Sequence, residues 1–510
     1  MPANNIIVIT FSLFISFKTV CQPFTYQNPI IPGFNPDPSI CKAGDYFYLV
    51  TSSFAYFPGV PIYRSKNLTQ WEQIGYCLTS TSQLDLKKAG ISSGIWAPTI
   101  RYNEGTFYMI TTNQALPKNF IVTAKNPAGP WSAPIFLDIK GYDPSLYFEN
   151  GKCYLTYTAG EGANGIYQCE IDPVTGKSIT NPVQIWQGTG EFGTEGPHIY
   201  KIGSFYYLLV AEGGTGIMHA VSVARSTNIY GPFESNPGNP VLTNRNKRWM
   251  RIQATGHGDL IEDNNGKWWM VHLGIRKFSG FEDLWATLGR ETFLLPVEWN
   301  KEGWPLVNAE GNSGEVITTS RKVPQNTSAT LENWQQDFSS SKQDLNWNYI
   351  RKPDTNNIRL DRKNGYLVLK GQPGNLDSLG NISFIGRRQT HHNILLSTAL
   401  NFSPTLENEE AGLTIFMGHR FHYDFFITMR NNRKCTVVRR KIDDINYEES
   451  FTPLEEDDFT ILEVESNPWA YMFYLKDKNG NRKKVAHCQS YFISIQVAGG
   501  FTGMYVGLYS

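Results

Sequence analysis

Three acidic side chains stand in short proline motifs that recur along the chain. They are Asp37 in Asp-Pro-Ser-Ile, Asp143 in Asp-Pro-Ser-Leu and Glu195 in Glu-Gly-Pro-His. An aspartate before proline often serves only to begin a turn, but three acids at one repeated position favour a functional interpretation. Carboxyl pairs carry out glycoside hydrolysis, in which one protonates the leaving oxygen and the other activates water or attacks the sugar.

The two roles call for different side chains. Aspartate is short, which suits Asp37 to a base held close to the axis, whereas the longer Glu195 can reach the glycosidic oxygen as the acid. An acid must keep its proton near neutral pH, so its pKa must be raised by burial and by a like charge nearby. Asp143 is the predicted neighbour, and we expect it also to orient Glu195 and to contact the sugar.

The elements that position these acids form a fivefold repeat. Each copy has a turn glycine, followed within three residues by aromatics that open a strand. The turn glycines are Gly44, Gly105, Gly151, Gly203 and Gly266, spaced 46 to 63 residues apart. This spacing fits one four-stranded sheet per copy, and long amphipathic helical patterns are scarce. The sequence therefore predicts an all-β fold that begins with a five-bladed β-propeller.

The proline motifs precede the turn glycines and should begin the innermost strand of each blade, because proline is best tolerated at a strand start. In the two remaining copies the corresponding residues are Ala97 and His257. Innermost strands line the propeller axis. The sequence therefore predicts one site built from Asp37, Ala97, Asp143, Glu195 and His257.

Aromatic residues flank three of the blade entrances. Phe34 precedes the first motif, Trp96 is adjacent to Ala97, and Tyr142 is adjacent to Asp143. Aromatic rings offer apolar faces to sugars, and they fill the tops of β-rich cores equally well. We expect these three rings to border the site, where they either stack against a sugar or pack in the top of the propeller core.

Other functions find little support in the chain. Lys and Arg total 46, as do Asp and Glu, so the formal net charge is zero and nucleic-acid binding is not indicated. No Walker loop or His-Glu-x-x-His motif is present. The Gly-x-Gly-x-x-Gly string at 188–193 lacks a surrounding βαβ pattern and is interpreted as a loop. The Gly-x-Ser-x-Gly string at 90–94 is not followed by a helix, as a hydrolase elbow requires.

The motifs resemble, in family order, those of glycoside hydrolase family 43. The matching segments are Asn-Pro-Ile at 28–30, Gly-Phe-Asn-Pro-Asp-Pro-Ser at 33–39, Ile-Trp-Ala-Pro at 95–98, Tyr-Asp-Pro-Ser at 142–145, Thr-Glu-Gly-Pro-His at 194–198, Gly-His-Gly-Asp at 256–259 and Leu-Gly-Arg-Glu-Thr at 288–292. The resemblance implies a five-bladed propeller and an inverting mechanism. It implies Asp37 as general base, Glu195 as general acid, and Asp143 as the residue that modulates the pKa of the acid and orients it.

The resemblance also implies the sugar-binding residues. Arg290 and His257 would contact the glycone, and Phe54 and Trp96 would shape its pocket. No cofactor is required, although some relatives hold a calcium ion on the propeller axis near this histidine. The implied substrates are xylo- or arabino-oligosaccharides, because β-xylosidases and α-L-arabinofuranosidases share this scaffold and the three acids do not separate them.

A second domain is predicted at 334–510, joined to the propeller domain at 22–322 by a polar linker at 323–333. Alternating strands at 366–369, 413–416 and 423–427 predict a β-sandwich, which resembles the concanavalin-like C-terminal domain of β-xylosidase-type members. In such relatives, a loop similar to that at 500–508 reaches over the catalytic funnel. Phe501 is therefore expected to close the pocket and to make the enzyme exo-acting.

Three alternatives share parts of this pattern. An endo-arabinanase needs an open groove, which the C-terminal loop would block. A carbohydrate-binding propeller without catalysis would lack at least one acid, whereas all three are present. A fructosyl hydrolase also joins a propeller to a sandwich, but its Asn-Asp-Pro-Asn-Gly, Arg-Asp-Pro and Glu-Cys motifs do not occur at the corresponding positions.

Residues 1–21 resemble an export signal. The apolar run at 6–17 is too short to span a bilayer and has the length of a signal-peptide core. We expect a secreted or periplasmic protein without a membrane span, with Cys21 as an alternative point of lipid anchoring. Six further cysteines are compatible with disulfides or with buried free thiols.

Overall fold

The computed structural model describes residues 23–160, 165–278, 285–324, 333–340, 344–380, 382–454 and 459–510. The predicted signal segment at 1–21, including Cys21, and most of the predicted linker at 323–333 lie outside these ranges. Among the described residues, no helix is long and apolar enough to cross a membrane. The six cysteines within these ranges are buried free thiols.

The first domain is built from short strands. In chain order they are β1 (Phe24–Gln27), β2 (Ser39–Ala43), β3 (Tyr46–Val50), β4 (Tyr56–Phe57), β5 (Gly59–Ser65), β6 (Glu72–Leu78), β7 (Thr99–Asn103), β8 (Thr106–Asn113), β9 (Lys118–Ala124), β10 (Ile135–Phe136), β11 (Tyr142–Glu149), β12 (Lys152–Thr158), β13 (Ile166–Ile171), β14 (Val183–Trp186), β15 (Glu195–Ile202), β16 (Phe205–Glu212), β17 (Ala220–Ser226), β18 (Glu234–Ser235), β19 (Ile252–Glu262), β20 (Trp268–Arg276), β21 (Arg290–Trp299), β22 (Pro305–Val307) and β23 (Val316–Thr319).

Five four-stranded antiparallel sheets are present in the described part of this domain. Their strand orders are β2-β3-β5-β6, β7-β8-β9-β10, β11-β12-β13-β14, β15-β16-β17-β18 and β19-β20-β21-β22. The first strands contact one another in a closed ring, β2 to β7, β11, β15, β19 and back to β2. β1 pairs with β23, which ties the beginning of the domain to its end. This arrangement agrees with the five copies counted in the sequence.

The repeated turn glycines explain how each sheet begins. All five close the hairpin between the first and second strand of a sheet, and their φ angles lie between 57° and 77°. Only glycine adopts this left-handed conformation without a steric penalty. The repeat of glycine before aromatic residues is therefore a repeat of one hairpin geometry.

The second domain is a sandwich of two antiparallel sheets. Its elements are β24 (Tyr349–Ile350), β25 (Ile358–Asp361), β26 (Tyr366–Leu369), β27 (Phe384–Arg388), β28 (Ile394–Leu400), β29 (Ala411–Gly418), β30 (Phe421–Arg430), β31 (Arg433–Ile442), β32 (Ile445–Pro453), β33 (Thr460–Ser466), β34 (Ala470–Lys476), β35 (Arg482–Gln489), a 3₁₀ turn (Ser490–Ile493), the single-turn helix α1 (Ile495–Ala498) and β36 (Tyr505–Tyr509). One sheet has the order β27-β36-β29-β30-β31-β32, and the other has the order β28-β33-β34-β35. The three strand segments predicted from the sequence coincide with β26 or lie within β29 and β30.

The two domains share an apolar core, which fixes the sandwich against the site end of the propeller. β24 of the second domain pairs with β4 of the first. The rings of Tyr56 and Tyr505 stack with their centroids 3.8 Å apart, and Arg388 Nε donates a hydrogen bond to the carbonyl of Phe34 at 2.7 Å. Because β36 is an interior strand of its sheet, the loop before it is held in place above the propeller.

Candidate active site

Asp37 precedes β2, Asp143 is the second residue of β11, and His257 lies at a bulge within β19; the three share an uncommon backbone conformation. Their φ angles are 52°, 50° and 49°, and that of Phe54 is 51°. Left-handed φ values cost non-glycine residues roughly 1–3 kcal/mol each and persist where the surrounding structure imposes them, most often at functional sites. The sequence predicts all four as site residues.

The sequence predicts that Glu195 occupies the same position in its sheet as Asp37 and Asp143 do in theirs. This prediction is wrong by one residue. A bulge follows Glu195 in the pairing of β15, just as a bulge follows Tyr142 in the pairing of β11. Glu195 therefore corresponds to Tyr142, and Gly196, at φ 58°, corresponds to Asp143. The glycine inserted between acid and proline causes the offset, and Glu195 enters the site one position earlier than the aspartates.

Asp37 is held as an ionised carboxylate. One oxygen accepts a hydrogen bond from Arg290 Nη1 at 2.7 Å, and the other accepts one from Ser52 Oγ at 2.5 Å. Asp37 is 5% exposed, and burial by itself raises its pKa, but Arg290, the nearby His257 and the Ser52 hydroxyl together hold the pKa below its usual value. A carboxylate in this state can accept a proton from water.

Glu195 and Asp143 together keep a proton that exposed carboxyls would have lost. Burial, followed by the charge of Asp37, raises the pKa of Glu195 to about 7. Burial, followed by the charges of Glu195 and Asp37, raises the pKa of Asp143 well above its usual value, although a hydrogen bond from the Gly196 backbone opposes this. Since the two carboxyls repel each other when both are ionised, they titrate as a pair that retains a proton near neutral pH.

His257 lies directly against the motif of the acid. A Cβ atom at residue 196 would lie 2.9 Å from Cε1 of His257, so only glycine permits the imidazole to approach this backbone. Burial lowers the pKa of His257, although Asp37 opposes this shift. Near neutral pH, His257 is therefore a neutral neighbour of the three carboxyls.

The predicted aromatic residues meet at the mouth of the site. The rings of Phe54 and Phe501 are stacked with centroids 6.1 Å apart, and Trp96 meets Phe501 edge-on at 5.8 Å and Tyr142 edge-on at 6.1 Å. Phe34 is completely buried behind Phe54, at a ring distance of 5.7 Å. Phe34 would therefore shape the pocket through Phe54 and not through a sugar contact of its own.

Phe501 is clamped over the site by contacts to the first domain. Its backbone N–H donates to Ser92 Oγ at 2.9 Å, and its carbonyl accepts from Arg290 Nη2 at 3.3 Å. Two positions later, the chain passes so close to Leu288 that a Cβ at Gly503 would lie 2.4 Å from the Leu288 carbonyl oxygen. The loop from the second domain thus forms a fixed wall of the pocket.

A second buried charge cluster, here called the axial network, lies on the same innermost strands. Asp259 accepts hydrogen bonds from Arg101 Nη1 at 2.9 Å, Ser39 Oγ at 2.7 Å and Tyr200 OH at 2.5 Å. Arg101 Nη2 also lies 2.9 Å from His198 Nδ1. These five side chains come from four different sheets, so the network ties the blades together.

The described side chains do not form a protein cage for calcium. No group of three or more His, Cys, Asp and Glu residues within the described ranges is placed to share a metal ion. Calcium prefers oxygen ligands, and both oxygens of Asp259, the carboxylate of the axial network, are engaged by protein donors. The carboxylate of the axial network is therefore occupied by protein donors and is not arranged as a calcium ligand.

Several positioning residues were not identified from the sequence. Ser52 follows the end of β3, at the site end of the first sheet. Its place just after a predicted strand could have identified it as a site residue. Ser92 lies in the Gly-x-Ser-x-Gly string that had no catalytic interpretation, and it contacts a residue 409 positions away. Arg101 and Asp259 are 158 positions apart. No local pattern identifies such long-range pairs.

Comparison with known proteins places this geometry in a family. The model of Glycosyl hydrolases family 43 matches residues 26–305, and the model of the Beta xylosidase C-terminal Concanavalin A-like domain matches residues 335–510. The predicted boundary between the domains falls between the two matched segments. These matches confirm the predicted propeller enzyme domain followed by a concanavalin-like domain.

Individual relatives resemble the chain over nearly its whole length. The non-reducing end alpha-L-arabinofuranosidase BoGH43B of Bacteroides ovatus is 39% identical, with 99% of this chain and 95% of the relative aligned. The Xylosidase/arabinosidase of Butyrivibrio fibrisolvens is 39% identical, with 95% of each aligned. The solved structure of Bacteroides ovatus Xyloglucan PUL GH43B superposes with a TM-score of 0.90 at 40% identity, covering 95% of this chain and 96% of that one. The chain therefore belongs to glycosyl hydrolase family 43.

Proposed function

We propose that this protein is an exo-acting, inverting glycosidase that removes terminal α-L-arabinofuranosyl or β-D-xylosyl units from oligosaccharides. One observation carries the proposal. An ionised Asp37 and a Glu195 that keeps its proton to about pH 7 lie close enough for the charge of Asp37 to raise the pKa of Glu195. This is the division of labour that an acid and base pair needs for glycoside hydrolysis.

The reaction follows from the two protonation states. Asp37 takes a proton from a water molecule while the water oxygen bonds to the anomeric carbon. The bond from that carbon to the leaving oxygen breaks, and the leaving oxygen takes the proton of Glu195. Asp37 ends protonated and Glu195 ionised, and exchange with solvent restores both. Activity that depends on protonated Glu195 should fall as pH rises through about 7.

The remaining residues hold the sugar at this pair. Arg290 keeps Asp37 ionised, and its guanidinium carbon lies 5.7 Å from the ring centroids of Phe54 and Phe501. Asp143 lies beside the acid, where it can orient Glu195 and the glycone. The stacked rings of Phe54 and Phe501 offer an apolar wall to the face of a pentose.

The exo-acting mode rests on the clamped loop at Phe501. Hydrogen bonds to Ser92 and Arg290 hold this loop across one side of the funnel, where a polymer would need to continue in both directions. An endo-arabinanase needs that side to be open. The structure thus favours release of a terminal unit over internal cleavage.

The choice of sugar is drawn from the relatives. One aligned relative is named for α-L-arabinofuranosidase activity at a non-reducing end, and another is named for both xylosidase and arabinosidase activity. We propose the same two sugars as substrates here.

The direct test compares release of 4-nitrophenol from the β-D-xylopyranoside and the α-L-arabinofuranoside, with linear arabinan as a third substrate. Release from either glycoside, with little loss of arabinan viscosity, supports the exo-acting proposal. Rapid loss of viscosity would point to internal cleavage. Binding of the sugars without turnover of any substrate would point to a propeller that has lost catalysis.

Export and calcium binding stay predictions. The apolar run at 6–17 is the basis for proposing secretion or transfer to the periplasm, with Cys21 as an alternative lipid anchor. The mass and N-terminal sequence of the mature protein from its host would test this proposal. Dialysis against EDTA, followed by activity and melting measurements with and without added calcium, would test for an axial ion.

A further inference from the structure

Phe192 is the most exposed large hydrophobic side chain among the described residues, at 81%. It lies three residues before the proposed general acid Glu195, in the glycine-rich loop at 188–193. A single exposed apolar residue on a mobile loop would need no explanation. This loop, however, is fixed at several points, so the exposed ring is held in a defined place.

The first anchor of the loop is a buried carboxylate. Glu212 is 1% exposed and accepts hydrogen bonds from Thr189 N at 2.7 Å and from Thr189 Oγ1 at 2.9 Å. A Cβ at Gly188 would lie 2.4 Å from the same carboxylate, so the chain must be glycine where it passes Glu212. Glu212 is the last residue of β16 and follows Ala211, which pairs with Glu195. This anchor therefore lies at the site end of the sheet.

Further anchors surround Phe192 itself. Its carbonyl accepts a hydrogen bond from Gly213 N at 2.6 Å, and the preceding Glu191 forms an ion pair with Arg245 at 3.1 Å. One edge of the ring rests on Gly214, where an added Cβ would lie 3.3 Å from Cε1 of Phe192. The backbone thus supports the ring from one side and leaves most of its surface open to solvent.

The position of the ring relative to the reaction indicates its ligand. Glu195 gives its proton to the leaving oxygen, so the departing part of the substrate must lie on the side of Glu195. Phe501, Arg290 and Asp37 surround the other part, the terminal sugar. Three residues span at most about 10 Å, which keeps Phe192 within reach of the first departing sugar.

We propose that Phe192 is a stacking platform for the sugar unit on the leaving side of the bond that is cut. The proposal rests on the proposed function, because it takes its direction from the role of Glu195. The ring selects substrates whose leaving group is itself a sugar, whose axial C–H bonds form an apolar face for an aromatic ring. Phe192 is thus a specificity-determining residue for oligosaccharides over glycosides with small leaving groups.

The test compares kcat/KM for a disaccharide and for the methyl glycoside of the same terminal sugar. A 4-nitrophenyl glycoside is unsuitable, because its own ring would stack on Phe192. Phe192→Ala should lower the ratio of disaccharide to methyl glycoside kcat/KM roughly 2- to 12-fold, the range for loss of one aromatic contact. Phe192→Tyr should restore the ratio. Phe136→Ala, which removes an exposed ring from the outer strand β10, is the matched control and should leave the ratio unchanged.

The outcomes separate this inference from the proposed function. If the wild-type enzyme cleaves both substrates and Phe192→Ala changes both equally, or neither, the platform is overturned while the glycosidase remains. If Phe192→Tyr behaves like Phe192→Ala, stacking is not the cause and the platform is again overturned. Failure of the wild-type enzyme to cleave either substrate would overturn the proposed function itself, and the inference with it.

Discussion

The active site and the axial network are two clusters of buried charge on the same ring of strands, and only in the active site are the pKa values of carboxyl groups raised. In the active site, Asp37, Asp143 and Glu195 surround one guanidinium, that of Arg290, and burial and mutual repulsion raise the pKa of the latter two acids. In the axial network, Asp259 alone faces Arg101.

The difference lies in the ratio of carboxylates to guanidinium groups. Burial by itself raises the pKa of Asp259, as it does for the catalytic acids, but Arg101 and His198, with hydrogen bonds from Arg101 and Tyr200, lower it far below the usual value. Asp259, as the one acid beside Arg101, forms an ion pair that links the blades. In the active site three acids share one guanidinium, which leaves a proton on the pair formed by Asp143 and Glu195. In these two clusters the charged partners, and not burial alone, set the direction of each pKa shift.

The largest expected effect comes from removing the donated proton. Glu195→Gln should lower kcat/KM for a disaccharide about 10²- to 10⁴-fold, because a sugar leaving group needs general-acid help. The loss for a 4-nitrophenyl glycoside should be much smaller, since 4-nitrophenolate departs without protonation. Steady-state kinetics on both substrates measure this, with Asp37→Asn as the control that should impair both alike. Equal losses for Glu195→Gln on both substrates would contradict its role as the acid.

The matching change in the axial network should act on stability. Asp259→Asn leaves the buried Arg101 without its counter-charge, and breaking a buried pair in this way costs about 3–5 kcal/mol. Urea denaturation of the wild type and the variant measures the difference, with the exposed Asp45→Asn as control. A variant as stable as the wild type would show that the network is not a structural clamp.

The pH dependence of stability should differ in sign between Glu195 in the active site and Asp259 in the axial network. The pKa of Glu195 rises from 4.5 in the unfolded chain to about 7 in the folded one. The stability it contributes is complete below pH 4.5 and is lost as pH rises to 7, by at most roughly 3 kcal/mol. Glu195→Gln should therefore gain stability relative to the wild type between these values. Asp259 has a lowered pKa, so its contribution is present above the unfolded value and is lost on acidification.

Melting curves of wild type and Glu195→Gln from pH 4 to pH 8 measure this difference. Asp143→Asn should show the same trend, because the pKa of Asp143 is also raised. A melting difference that stays constant across this range would contradict the raised pKa of Glu195, because it would mean that this pKa is the same in the folded and the unfolded chain.

The smallest effects should come from two serines, each of which donates a hydrogen bond to the aspartate of its own cluster. Ser52 donates to Asp37 in the active site, and Ser39 donates to Asp259 in the axial network. A hydrogen bond to a charged group is worth roughly 2 kcal/mol. Ser39→Ala should lower stability by about that amount with little change in kcat, whereas Ser52→Ala should raise the pKa of Asp37 and move the acid limb of the pH–rate profile upward. If the two variants behave alike, the separation of the clusters is wrong.

Local features of this protein could be predicted from its sequence, and long-range ones could not. The turn glycines and proline motifs are local, so they predicted the repeated hairpin and the three acids that meet in the candidate active site. The one-residue offset of Glu195 could not be predicted. Gly196 shifts the acid relative to the bulge, and a bulge has no clear sequence pattern. The complete burial of Phe34, the clamp between Ser92 and Phe501 and the pairing of Arg101 with Asp259 arise only when distant segments fold together.

The pocket wall formed by Phe501 is added late during synthesis of the chain. The hydrogen bond that joins it to Arg290 spans 211 positions, which a ribosome needs roughly 10 to 40 s to translate. In the part of that interval that follows synthesis of β23, the propeller can fold with all three acids in place, while one side of its pocket is still missing. A nascent chain at this stage would be a propeller with an uncovered funnel, and selectivity for terminal sugars would arise only when β36 enters its sheet.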